Sequence, residues 1–93
     1  MHKNIQLIKE RLQASLEPQT LTIQDDSAKH AGHAGAIESG GGHYKLHIVS
    51  NKFHAQSAIM RHKMVYVALG DAMGSIIHAV SIKAQTPAET ATE

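Results

Sequence analysis

The chain of 93 residues contains no cysteine and no tryptophan. Without thiols it can form no disulfide framework, and it cannot hold an iron–sulfur centre alone in the usual all-cysteine way. Aromatic side chains are limited to Tyr44, Tyr66 and Phe53, too few to build the stacking platforms that bind single-stranded nucleic acid. No apolar run approaches the roughly 20 residues of a membrane span. The start, MHKNIQLIKERLQ, is broken by charges and lacks the apolar core of a secretory signal. Together these absences lead to the expectation of a cytoplasmic protein with no membrane partner. Nine Lys and Arg against eight Asp and Glu leave a formal charge of +1, which by itself is no signature of a polyanion binder.

Histidine is what the chain has in excess, with eight residues. His30, His33 and His43 bracket one glycine-rich stretch, HAGHAGAIESGGGH, and His78 lies in the apolar segment IIHAVSI. Neutral imidazole is a common metal ligand and titrates near physiological pH. Such a set can supply one or two nitrogens to a metal centre shared with a partner.

The length fits one domain with one modest core. Residues 3–16 read as an amphipathic helix, with Ile5, Ile8, Leu12 and Leu16 at helical spacing and Pro18 ending it. Residues 20–25 read as a strand by alternation of Leu21 and Ile23 with Thr22 and Gln24. Residues 26–42 hold five of the seven glycines and are expected as a long mobile loop, the kind that is functional or disordered. In the strand 43–50, Tyr44, Leu46 and Ile48 share one face, and His43, Lys45, His47 and Val49 share the other. Ser57 is a candidate N-cap for a helix to about Met73. Its buried stripe is Val65, Ala68, Leu69, Ala72 and Met73. Gly70 marks a break or looser turn within it, and Gly74 stops it. The strand 76–84 places Ile76, His78, Val80 and Ile82 on one face by alternation. Residues 85–93 are small and polar and are expected as a frayed, flexible tail. The order is α-β-β-α-β, with room for an extra turn at 53–57. It predicts an α+β domain over 1–84, with helices on one face of a three-stranded mixed sheet. The first two strands are antiparallel, and the third is parallel to the second through the helical crossover.

DDSAKHAGHAG, GGHYKLHIVS, the Phe53…Ser57…RHKMVYVAL stretch and IHAVSIKAQTP occur in this order and together resemble the BolA family over nearly the whole chain. The resemblance implies a class II KH-like fold, α-β-β-α-(α)-β. It implies a non-enzymatic partner of monothiol glutaredoxins, monomeric when apo and with no small-molecule substrate. The pair would share a [2Fe-2S] cluster with glutathione in iron–sulfur assembly, trafficking or iron sensing. The ligands on this chain would be His78 and, in a His-type loop, His33, with His30 as the alternate. The family also includes members with transcription-linked roles in stress or morphology control. That points to a second reading, DNA binding through Arg61, Lys63 and Lys52. The chain departs from the family's Phe-x-Gly-x-Ser by carrying Ala55 in place of glycine, where a positive φ would be costly.

Read from residue type alone, each position has a plainer role beside the implied one. His78 would be a half-buried histidine bonded to a backbone carbonyl. His33 would be solvated, and His30 and His33, three apart, could chelate an adventitious metal. His43 would anchor the loop end on the sheet. His62 falls on the inner half of its helix and is expected in the core, with Arg61 and Lys63 on more exposed positions beside it. Gly32-His33-Ala34-Gly35 spells the G-x-x-G of KH domains but lies between strands, not helices. Asp25 and Asp26 could suggest a carboxylate pair for a metal, but the plainer reading has Asp26-Ser27 end the strand with side-chain-to-backbone hydrogen bonds. No nucleophile–base spacing argues for catalysis.

Overall fold

Helical periodicity in the first 16 residues and period-2 alternation in the next two apolar segments yield the two layers of the molecule. The computed structural model describes residues 2–26 and 42–91. In chain order these form α1 (His2–Leu16), β1 (Thr20–Asp25), β2 (Gly42–Val49), a 3₁₀ turn (Asn51–Phe53), α2 (Ala58–Leu69), a second 3₁₀ turn (Gly70–Ala72), β3 (Ile77–Gln85) and α3 (Pro87–Ala91). The sheet order is β1-β2-β3, with β1 antiparallel and β3 parallel to β2. This is the expected three-stranded mixed sheet with its helical crossover. The loop expected over 26–42 falls almost wholly outside the described residues.

Ile8, Leu12 and Leu16 of α1 pack with Tyr44, Leu46 and Ile48 of β2 and with Val65, Ala68 and Leu69 of α2 in one core, which also buries Phe53, Ala72 and Ile77. This cluster packs on one face of the sheet, and Val49, expected on the opposite face with His43, Lys45 and His47, is buried as well. α1 ends where Glu17 takes a positive φ of 45° ahead of Pro18. Its last turn is sealed by Ser50, whose buried hydroxyl donates to the Leu16 carbonyl at 2.6 Å and accepts from the Lys52 amide at 3.1 Å. Ser57 caps α2 by accepting from the Met60 amide at 3.1 Å. α2 closes at Leu69, because Gly70 enters the left-handed region at φ 55° and the chain tightens into the 3₁₀ turn. A Cβ on Gly70 would stand 3.0 Å from the Arg11 guanidinium, which itself donates to the Leu69 carbonyl at 3.0 Å.

Three further expectations need correction. The simple alternation of Ile76, His78, Val80 and Ile82 fails at its start. The parallel ladder pairs Gly42 with Ile77 but His43 with Ala79, so the register shifts at His78. A β-bulge of this kind re-aims the bulged side chain. Ile77 takes the core position, fully buried, and His78 is exposed. Second, the helical phase of α2 sends His62 to solvent and draws Arg61 inward, the reverse of the sequence expectation. Third, the segment from Gln85 is regular as far as Ala91: β3 runs through Gln85, and α3 follows. The cause is a capping box in Thr86-Pro87-Ala88-Glu89. The Thr86 hydroxyl accepts from the Glu89 amide at 3.2 Å, while the Glu89 carboxylate accepts from the Thr86 amide at 2.8 Å. Pro87 stands at the first helical position, where its missing N–H is harmless.

Candidate functional site

The sheet face away from the core carries the polar chemistry. Its strand positions are Thr20, Thr22 and Gln24 from β1, His43, Lys45 and His47 from β2, and Ala79, Ser81 and Lys83 from β3, which the register sets side by side. Because β2 and β3 run parallel, their first residues lie at the same end of the sheet. The bulge then turns His78 out beside His43, and the two imidazole centroids are 5.2 Å apart with planes tilted by 40°. Asp26, one residue past β1, joins this end. Its amide donates to the His43 carbonyl at 2.7 Å, and its carboxylate accepts from Gln24 Nε2 at 2.8 Å. A hollow of about 200 Å³ lies here, lined by Asp26, His43, Ala79 and Ser81. Beside it, a groove of about 320 Å³ is lined by Thr22, Gln24, Lys45, His47, Ser81 and Lys83. His47 is held across the sheet by a 2.8 Å hydrogen bond to Gln85.

His78 is therefore an exposed imidazole paired with a second imidazole. Neither ring is buried. His43 was expected only to anchor the loop end. Parallel pairing of GGHYKLHI with IHAVSI is the signal that could have brought it to His78. His33 and His30 lie outside the described residues, as does the G-x-x-G tetrapeptide. Among the described residues, no three His, Asp or Glu side chains gather closely enough to hold a metal ion.

Comparison with known proteins bears on this arrangement. The model of the family described as BolA-like protein matches residues 12–89. The chain belongs to the BolA family. It is similar to SufE-like protein 1 of Arabidopsis thaliana, 43% identical over 86 residues, which cover 88% of this chain and 23% of that protein. It is also similar to the DNA-binding transcriptional regulator BolA of Escherichia coli, 33% identical over 79 residues, which cover 85% of this chain and 71% of that one. The solved BolA domain of SufE1 from Arabidopsis thaliana superposes with a TM-score of 0.77 at 40% identity, covering 94% of each chain. The chain spans under a quarter of the first relative, and 53% to 58% of several other BolA-like relatives.

Within this BolA fold the basic residues named for nucleic-acid contact are differently placed. Arg61 is structural. Its guanidinium donates to both Glu89 carboxylate oxygens at 2.7 and 3.0 Å, to the Ala84 carbonyl at 3.0 Å and to the Gln56 carbonyl at 2.9 Å. It also lies over the Phe53 ring, 5.9 Å from the centroid. The hydrogen bonds from Arg61, then that from the Thr86 amide, pull the Glu89 carboxyl down from its ordinary 4.5 to about 2, and Glu89 in turn raises the Arg61 pKa. Lys52 pairs with Glu17 at 3.0 Å and donates to the Ser15 carbonyl. Lys63 is exposed and borders a groove with Met60, Met64 and Val67, an apolar floor unlike a phosphate track.

Proposed function

We propose that this BolA-family chain is a binding module for a monothiol glutaredoxin. In this reading it contributes imidazole nitrogen to a [2Fe-2S] cluster that the glutaredoxin and glutathione bring. His78 is the ligand from the strand, and His33 the ligand from the loop, with His30 as the alternate. One observation carries the reading: the bulge turns His78 out of the core onto an exposed edge. A ring required only for packing has no need of that strand irregularity. The donor set fits the group, since iron accepts imidazole nitrogen and a solvent-facing ring can reach a metal held by another protein. A [2Fe-2S] cluster supplies exchangeable iron and sulfide or a redox signal. His ligation lowers the electron density on the cluster relative to thiolate and makes its retention sensitive to acid.

The test mixes the chain with cluster-loaded glutaredoxin and records visible absorption and circular dichroism. The wild type should change the spectrum, and His78→Ala should not. A spectrum indifferent to the wild type, or changed equally by His78→Ala, overturns the ligand assignment. His33→Ala and His30→Ala, measured in the same way, separate the two loop candidates.

The Escherichia coli relative's name favours a second reading, DNA-binding regulation. Here Arg61 and Lys52 are already engaged by carboxylates, so the tested residues narrow to Lys63 and the open sheet face. A salt titration decides the matter. A steep fall in DNA affinity with ionic strength supports phosphate contacts, and no binding at low salt ends the reading.

A further inference from the structure

Acidic side chains are unevenly distributed between the two sides of the molecule. On the helix-and-turn side each long cation in the fold's joints has an acid: Arg11 with Asp71 at 2.7 Å, Lys52 with Glu17 at 3.0 Å, and Arg61 with Glu89 at 2.7 Å. On the open sheet face none of the strand residues is acidic, and the carboxylate of Asp26 is confined to the His43 end. Lys45 forms no ion pair among the described residues. Lys45 and Lys83 are diagonal neighbours, because Lys45 is opposite Ser81 and Lys83 is two residues on. Diagonal pairs on a sheet are about 7–8 Å apart, close enough for two long side chains to converge on one anionic group. The groove between them is lined by the Thr22 and Ser81 hydroxyls and the Gln24 amide, all able to donate.

This patch adjoins the imidazole pair. Lys45 follows His43 by two residues on the same face, a rise of about 7 Å. A standard interface covers about 800 Å² per partner, a disc of about 16 Å radius. A protein seated at His78 therefore overhangs Lys45, and most of the groove with it. We propose that the open sheet face is the docking surface for the glutaredoxin partner, and that Lys45 and Lys83 receive an acidic patch on that partner. This inference rests on the glutaredoxin reading above and names the partner's surface chemistry. A nucleic-acid strand is the poorer occupant, since Tyr44 and Phe53 are buried in the core and the face offers no phenyl, phenol or indole ring for a base.

The experiment measures association of the full chain with apo and cluster-loaded monothiol glutaredoxin, and with duplex DNA, across a range of ionic strength. Lys45→Glu/Lys83→Glu is expected to weaken glutaredoxin binding at least about tenfold at low salt and to flatten its salt dependence. Lys45→Gln/Lys83→Gln should have a smaller effect of the same sign. Lys9→Glu on the exposed side of α1 should match wild type. His78→Ala should lose the cluster spectrum yet keep the charge-sensitive association. Unchanged glutaredoxin affinity in the Glu double variant overturns the docking face and leaves the cluster reading standing. So does loss of DNA binding alone. If wild type fails to bind glutaredoxin at any salt, both fall together.

Discussion

The two faces of the sheet are made by the same three strands and obey different rules. Toward the helices, Leu46, Ile48 and Ile77 have almost no exposed surface. The polar groups on that side are mutually satisfied, as with the Ser50 hydroxyl on the α1 carbonyl. Away from the helices the strands present imidazoles, lysines and hydroxyls outside the hydrophobic core. Burial dictates the first face residue by residue. The second is left to chemistry. At the start of β3 the two exchange a residue, where the register shift trades His78 for Ile77.

The sharpest way to break this contrast is to injure the buried side. Leu12 is fully buried in the core. Leu12→Ala should destabilise the fold by about 2–5 kcal/mol in urea unfolding, the loss of transfer free energy plus the residual cavity. A cost below 1 kcal/mol would mean that α1 is not part of the cooperative core. Acid probes the helix side differently. The Glu89 carboxyl is held at about 2 in the folded chain against an ordinary 4.5. A depressed pKa contributes stability that is fully present above about 4.5 and is lost as pH falls toward 2. Glu89→Gln should remove that portion of the acid limb in pH-dependent unfolding, and α3 should lose order first. An acid limb identical to wild type would disconnect the Arg61–Glu89 pair from stability.

A smaller effect concerns the turn between the 3₁₀ segment and α2. Ala55 takes a φ of 62°, in the left-handed region. An L-residue there costs about 1–2 kcal/mol, while glycine returns about 0.4–1 kcal/mol of unfolded-state entropy. Ala55→Gly should therefore stabilise the chain by about 0.5–1 kcal/mol, read as a rise in the denaturation midpoint. A fall instead would mean that the backbone at Ala55 is unstrained.

How far these features could be read in advance follows from what each depends on. The strands, most of their buried faces, the Ser57 cap and the break at Gly70 depend on local periodicity and punctuation, which the chain carries openly. The positive φ at Ala55 was foreshadowed by the missing glycine. The bulge at His78 depends on how β3 registers against β2, and alternation along one strand cannot reveal a slip between two. The exchange of Arg61 and His62 was undecidable from the stripe, because both stand one helical turn before Val65. Phe53, Ala84 and Glu89, all distant in sequence, select Arg61. The capping box that orders α3 was visible as Thr86-Pro87-Ala88-Glu89 and was masked by the small, polar composition around it.

The last and smallest expected effect bears most directly on the difference between the faces. His78 is exposed and fills a bulge, so the core beneath it is closed by Ile77 without its help. Its contact within the fold is with the His43 ring at 5.2 Å, a solvent-facing pair of like groups that contributes little. His78→Ala should therefore shift unfolding stability by no more than about 0.5 kcal/mol, as surface substitutions away from special features do. The measurement is urea unfolding of the isolated chain near neutral pH, with the slope unchanged. A loss of well over 1 kcal/mol would make His78 a structural residue and the bulge a packing device. A near-zero cost leaves the strand irregularity without a stabilising purpose, and the remaining purpose of an outward imidazole is to meet something from outside.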